Sequence, residues 1–211
     1  MLDFVLFASS TCYNPSTMNI TEFTAASTSL ACVYLCVRAN IWNFALGIIS
    51  VTLYMIIFFQ VRLYADMTLQ VFYLVLQFTG WYGWLYGNAN RTPRKIRYAT
   101  FTENTLAILS TAILFYAWYF ILKNYTNSNT YYIDSFTTAL SIVGQIMMNR
   151  KWVESWLAFF VADVISIKMY LFKHLYYTAG LFAIFTVLAL MGYFHWRKQC
   201  YDYELTLLPR W

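Results

Sequence analysis

The chain has 211 residues, 61% hydrophobic and 11% charged, against about 45–50% and about 25% in an ordinary soluble domain; this excludes a water-soluble globular fold. Its 14 basic and 9 acidic residues give a formal net charge of +5 but lie between apolar runs, so the excess reads as a topology signal and not as a nucleic-acid surface. Spans with short loops use up the length, leaving no expected second catalytic domain.

In chain order, the tail 1–21 comes first. MLDFVLF lacks a positive leading region, and SSTCYNPSTMN interrupts it before a signal-peptide core is complete, so the tail is expected to be retained. Apolar runs follow at 22–38, 42–60, 66–86, 104–122, 132–148, 152–172 and 175–195. Each is near the about 20 residues that a helix needs to cross a bilayer. Ser and Thr dilute the first and fifth runs, which is tolerated between packed helices. The runs are continuous and lack the alternation of a membrane β-barrel. The expected fold class is therefore an all-α polytopic membrane protein with seven transmembrane helices.

Basic residues then divide by side. Arg62, Lys123 and Lys173 fall on one side, whereas Arg38, Arg91, Arg94, Lys95, Arg97, Arg150, Lys151, Arg197, Lys198 and Arg210 fall on the other, with Lys168 inside a span. Cytoplasmic loops collect Lys and Arg, so the N-terminus is expected outside and the C-terminus in the cytoplasm.

The chain also matches itself at one ungapped offset of 112 residues. Leu63-Tyr64 falls on Leu175-Tyr176, Gly80 on Gly192, Trp81-Tyr82 on Tyr193-Phe194, Trp84 on Trp196, Arg38 on Arg150 and Ser29 on Ser141. Three helices thus repeat. Two odd-numbered units joined directly would insert in opposite senses, and a linking fourth helix restores the direction. The result is a 3+1+3 parallel repeat about an axis along the membrane normal. Its expected units are the tail 1–21, a three-helix repeat 22–88, a basic loop with linker helix 89–131, a second repeat 132–196 and a C-terminal tail 197–211. Carriers built this way bind substrate near the midplane between repeats.

An ionisable residue deep in a span is a functional candidate. In the sixth helix Asp163 lies seven residues after Trp156, which returns it to nearly the same face; Phe160 and Tyr170 share that stripe. A ring for cation–π contact beside a carboxylate suits a flat cationic ligand. An ion pair of Asp163 with Lys168 is disfavoured, because five positions place them about 140° apart. Gln77, one turn before Trp81, and Gln145 are further binding candidates, while Glu103 and Asn104 read as structural. Trp84, Trp152 and Trp196 read as interfacial anchors. Cys12, Cys32, Cys36 and Cys200 form no CxxC pair, and His174 and His195 stand apart, so no metal site is expected. No P-loop or GxSxG motif occurs; neither catalysis nor a cofactor is expected.

Residues 42–84, WNFALGIISVTLYMIIFFQVRLYADMTLQVFYLVLQFTGWYGW, resemble the Pnu family of bacterial vitamin transporters, its nicotinamide riboside carriers in particular. DSFTTALSIVGQ (134–145), the run from Trp156 to Asp163, Tyr176 and Gly192 resemble the matching family segments, so the likeness covers about residues 30–200. It implies a fold related to the SWEET architecture, a bacterial inner (cytoplasmic) membrane location, and facilitated diffusion of an unphosphorylated vitamin that is trapped by phosphorylation inside. It also implies that Trp156 and Asp163 contact substrate, although nicotinamide riboside carriers have Asn where this chain has Asp163. The implied partners are a small-molecule vitamin, nicotinamide riboside favoured and thiamine second, together with the lipid bilayer. Nucleic acid is not implied, and a homo-oligomer is left open. A membrane scaffold that moves no solute is the remaining alternative.

Overall fold

The structure, a computed structural model, describes residues 20–60, 64–88, 90–125, 130–172, 174 and 176–207. Residues 1–19 with Cys12, and Arg62, Leu63, Lys173, Leu175 and Arg210, lie outside the described residues. Seven helices are described: α1 (Ile20–Val37), α2 (Asn43–Gln60), α3 (Tyr64–Tyr86), α4 (Phe101–Tyr125), α5 (Tyr131–Asn149), α6 (Ser155–Phe172) and α7 (Tyr176–Leu207). They follow the seven apolar runs closely, except that α7 continues well past 195. The segment after it, WRKQCYDYELTL, contains no Gly or Pro, and its Arg, Lys and Gln are good helix formers, so the helix carries on after its apolar face has ended.

Among the described residues, Asn43–Gln60, Phe101–Asn124, Ser155–Phe172 and Thr178–Asp202 are long and apolar enough to cross a membrane. Exposed Phe101, Ile108, Ile113, Tyr116 and Phe120 line α4. Such a surface is unfavourable in water but natural against lipid tails. With the family evidence below, the chain is a multi-pass membrane protein.

Packing follows the chain within each triplet. Helix α2 joins α1 and α3, α6 joins α5 and α7, and α4 lies on α5. Two further seams close the bundle, α1 against α7 and α3 against α5. A shift of 112 residues carries α1, α2 and α3 onto α5, α6 and α7, and turns one seam into the other.

The turns after α1 and α5 show the same correspondence bond by bond. In the first, Ala39 N donates to Cys36 O (2.9 Å), Asn40 N to Leu35 O (2.9 Å), Asn43 N to Asn40 O (3.2 Å) and Phe44 N to Ile41 O (3.2 Å). In the second, Lys151 N donates to Met148 O (2.9 Å), Trp152 N to Met147 O (3.2 Å), Ser155 N to Trp152 O (3.2 Å) and Trp156 N to Val153 O (3.3 Å). Every donor and acceptor moves by the same offset. Each turn is made by a left-handed residue just past its helix, Ala39 at φ 51° and Lys151 at φ 56°, a conformation usually given to glycine at a helix end. The short reversal sets Phe44 and Trp156 at the first turns of α2 and α6.

Candidate functional site

The inner face of α6 is made by Ser155, Trp156, Phe159, Ala162, Asp163, Ser166, Met169 and Tyr170, all buried. Trp156 and Asp163 therefore share one buried face, eight residues and about 12 Å into the helix at Asp163. Phe160 does not join them fully. It is half-buried at the edge of the core, and Phe159, at 3% exposure, takes the inward position. Lys168 is exposed while Asp163 is wholly buried, so the two charges leave the helix on different sides.

Trp156 is held by the seventh helix. Its ring meets Trp196 edge-on at 5.4 Å between centroids and 88° between planes. Gly192 makes this possible, since a Cβ there would come within 2.5 Å of the Trp156 indole. The Trp156 Nε1 hydrogen has no hydrogen-bond partner, an unspent donor in an interior where most polar groups are paired.

The same arrangement recurs at the offset. Phe44 stands where Trp156 does, meeting Trp84 edge-on at 4.9 Å and 89°, with Gly80 leaving room: a Cβ there would lie 2.6 Å from the Phe44 ring. Trp84 and Trp196 then meet at 5.9 Å. Phe44, Trp84, Trp196 and Trp156 thus form one row of buried rings across the bundle.

These tryptophans correct the sequence reading. Trp84 and Trp196, expected as interfacial anchors, are 2% and 0% exposed and tie the two triplets together. Trp84 Nε1 donates to Met148 O at the end of α5 (3.2 Å), and Trp196 Nε1 donates to Val37 O (3.1 Å) and Cys36 O (3.3 Å) at the end of α1. Cys36 and Met148 are again 112 apart, so each tryptophan adds a donor to the carbonyls that end the first helix of the other triplet. Trp152 is no anchor either. It is buried in the α5–α6 turn with the guanidinium groups of Arg97 (5.4 Å) and Arg150 (5.3 Å) over its ring.

Gln145 lies on the α3–α5 seam. Gln145 Nε2 donates to Asn149 Oδ1 (3.1 Å), and Asn149 Nδ2 donates across to Leu76 O (2.8 Å). Gln77, next in the chain, is buried with its Oε1 unpartnered. Its carboxamide fills the space over Gly47, where a Cβ would come within 2.8 Å. Sequence reasoning missed Asn149 and Gln70. Asn149 is one turn from Gln145, and Gln70, also buried with an unpartnered Oε1, is two turns before Gln77; both spacings were legible. Glu103, expected as structural, pairs with Arg97 through two contacts of 2.6 and 2.7 Å.

Against this row, Lys151 Nζ sits 4.3 Å over the Trp84 ring. Burial lowers its pKa to about 8. Among the described residues no group of three His, Cys, Asp or Glu side chains could hold a metal ion. The interior offers a buried carboxylate, an indole with a spare donor and two spare amide acceptors. That set can hold a polar cationic ring and its hydroxyl groups.

Known proteins share this chain's pattern. A family model described as nicotinamide mononucleotide transporter matches residues 19–198. The nicotinamide riboside transporter PnuC of Escherichia coli (strain K12) is 31% identical over 192 residues, covering 79% of this chain and 80% of that protein. PnuC of Neisseria mucosa is 25% identical over 185 residues, 82% of this chain and 70% of that one. A crystal structure of the vitamin B3 transporter PnuC matches with a TM-score of 0.69 at 24% identity, over 95% of this chain and 90% of that chain, a likeness of fold. The chain belongs to the nicotinamide mononucleotide transporter family.

Proposed function

We propose that this member of the family carries nicotinamide riboside across the bacterial inner membrane by facilitated diffusion, with phosphorylation in the cytoplasm trapping it. The observation that carries the choice of substrate is Asp163, a wholly buried carboxylate on the same face as Trp156. A pyridinium ring brings positive charge for a carboxylate on this face together with a flat surface for the indole. A phosphorylated nucleotide fits less well: among the described buried residues there are two carboxylates, Asp134 and Asp163, and no Lys or Arg. Thiamine, with its thiazolium ring, satisfies the same carboxylate and is the second reading. Gln77, Gln145 and the edge of Phe160 are assigned to ribose and carboxamide contacts.

The architecture proposed is seven spans in a 3+1+3 parallel repeat of SWEET type. The bond-by-bond identity of the two turns, the crossed tryptophan bonds and the matched seams support it. The N-terminus is placed outside and the C-terminus in the cytoplasm, on the positive-inside rule. The α4 face is given to lipid, and nothing about the site requires a cofactor or makes it an enzyme.

Proteoliposomes test the function. Labelled nicotinamide riboside should enter saturably and stop at equal concentrations on both sides. Uptake of thiamine but not of nicotinamide riboside would reverse the two substrates, and accumulation above the outside concentration under an imposed ion gradient would overturn facilitated diffusion. A green fluorescent protein fused after Trp211 should fluoresce, whereas active alkaline phosphatase at the same place would invert the orientation.

A further inference from the structure

The loop between α3 and α4 is strapped to the α5–α6 turn. Arg97 N donates to Lys151 O and Val153 N to Arg97 O, both at 3.1 Å, and Ala99 N donates to the Glu154 carboxylate (3.0 and 3.1 Å). Between strap and turn lies a cleft of about 460 Å³ lined by Gly87, Asn88, Arg94, Lys95, Arg97 and Arg150. Four of the six are cationic, and none is acidic.

These cations are placed, not merely present. The Arg94 guanidinium is fixed by two backbone carbonyls, Asn149 O (3.2 Å) and Gly87 O (3.1 Å). Gly87 is needed there, because a Cβ would come within 2.7 Å of Arg94 Nε. Arg150 rests against the Trp152 ring, and Arg97 lies against the same ring while paired with Glu103, so Arg94 and Arg150 are the cations on which an anion in the cleft would draw. Carbonyls orient a guanidinium without neutralising it, and partial burial beside Arg150 and Arg97 pulls the Arg94 pKa down. Orienting a membrane protein requires only that loop cations lie on one side. It does not require several of them to converge on one concavity with their positions fixed.

We propose that this cleft binds a phosphate-bearing anion. Arginine forks match phosphate oxygens in pairs, and a ligand here would bridge the strap to the turn that sets Trp156, holding this end of the bundle closed. A soluble phosphomonoester and the head group of an anionic lipid share this chemistry.

The test uses the full chain in an uncharged detergent, with ionic strength held constant by chloride. Inorganic phosphate should raise the unfolding midpoint and change tryptophan emission saturably. Arg94→Gln should weaken the apparent affinity by about tenfold or more, as expected for losing hydrogen bonds to a charged group. Arg150→Gln, whose side chain packs on Trp152 instead of tying the backbone, gives the same comparison if Arg94→Gln fails to fold. Lys198→Gln, outside the cleft, should respond like the parent. Nanodiscs separate the sources: if phosphatidic acid abolishes the phosphate response that persists in phosphatidylcholine, a lipid head group takes the site, and if the response persists in both, the ligand is soluble. Chloride reproducing the effect, no saturable response to either source, or Arg150→Gln behaving like the parent would overturn the proposal.

Discussion

The first three helices and the last three have one frame and two chemistries. Their turns, glycines and crossed tryptophan bonds coincide at the 112-residue offset. The side chains that face inward do not. Where α6 has Asp163 and Trp156, α2 has Val51 and Phe44. Gln77 on α3 and Gln145 on α5 have as counterparts Ala189 on α7 and Val33 on α1, all four buried. One seam, α3–α5, is thus polar and its twin, α1–α7, is apolar. Backbone geometry therefore does not set the proposed site apart, since both halves have it. A few side chains confined to one side do.

The largest expected effect comes from exchanging the pair that differs most. Asp163→Val should cost roughly 2–5 kcal/mol of binding to a cationic vitamin, the usual loss on deleting one partner of a buried charge pair, with the protein still folded; an unchanged titration would move the site elsewhere. Val51→Asp should instead destabilise the fold by about 3–5 kcal/mol, the cost of an uncompensated buried charge, read by thermal unfolding.

Next are the two glycines. Gly80→Ala and Gly192→Ala should each cost about 1–3 kcal/mol of stability through overpacking. Gly192→Ala displaces Trp156 and should also weaken ligand binding several-fold, whereas Gly80→Ala presses on the Asn149 carboxamide and the Phe44 ring and should weaken it less. Equal binding losses would mean that the two triplets share the site evenly.

The clamp should be more symmetric. Trp84→Phe and Trp196→Phe each remove a bond to the opposite triplet, about 0.5–1.5 kcal/mol apiece. Their rings touch at 5.9 Å, so the double variant should depart from additivity by about 0.5 kcal/mol or more. Strict additivity would show that the two ties act separately.

The smallest effect has no counterpart in the first turn, where Ala39 replaces Lys151. Lys151 has its pKa lowered from 10.5 to about 8 by burial. Between those values the unfolded chain binds the extra proton, so stability rises as pH rises from about 8 to about 10.5. Lys151→Met should flatten that part of the stability curve, and a curve unchanged by the substitution would refute it.

Much of this was legible in sequence because apolar helices declare themselves by length, and the correspondence of the two triplets by its offset. The seven helices and the shared face of Trp156 and Asp163 needed nothing more. The inward choice of Phe159 over Phe160 did, since neighbours on a helix flank the same face and only the positions of α5 and α7 decide between them. Trp84 and Trp196 were misread for a related reason. A tryptophan near a span's end looks alike whether it meets head groups or another helix's carbonyls. Their equivalence at the offset was the available clue, and the two rings do meet, 5.9 Å apart.

The crossed bonds from Trp84 to α5 and from Trp196 to α1 have the form of an isologous interface, in which each partner gives the other what it receives. A single three-helix chain carrying that tryptophan and that turn would contain both halves of the contact and could pair with a copy of itself. In such a pair every substitution appears twice, so a carboxylate placed inside one half would bring a second carboxylate into the interior of the other. Joining the copies through α4 lifts that restriction. One half is then free to carry the charge while the other stays greasy, and a lopsided ligand can be met by a lopsided pocket inside a symmetric frame.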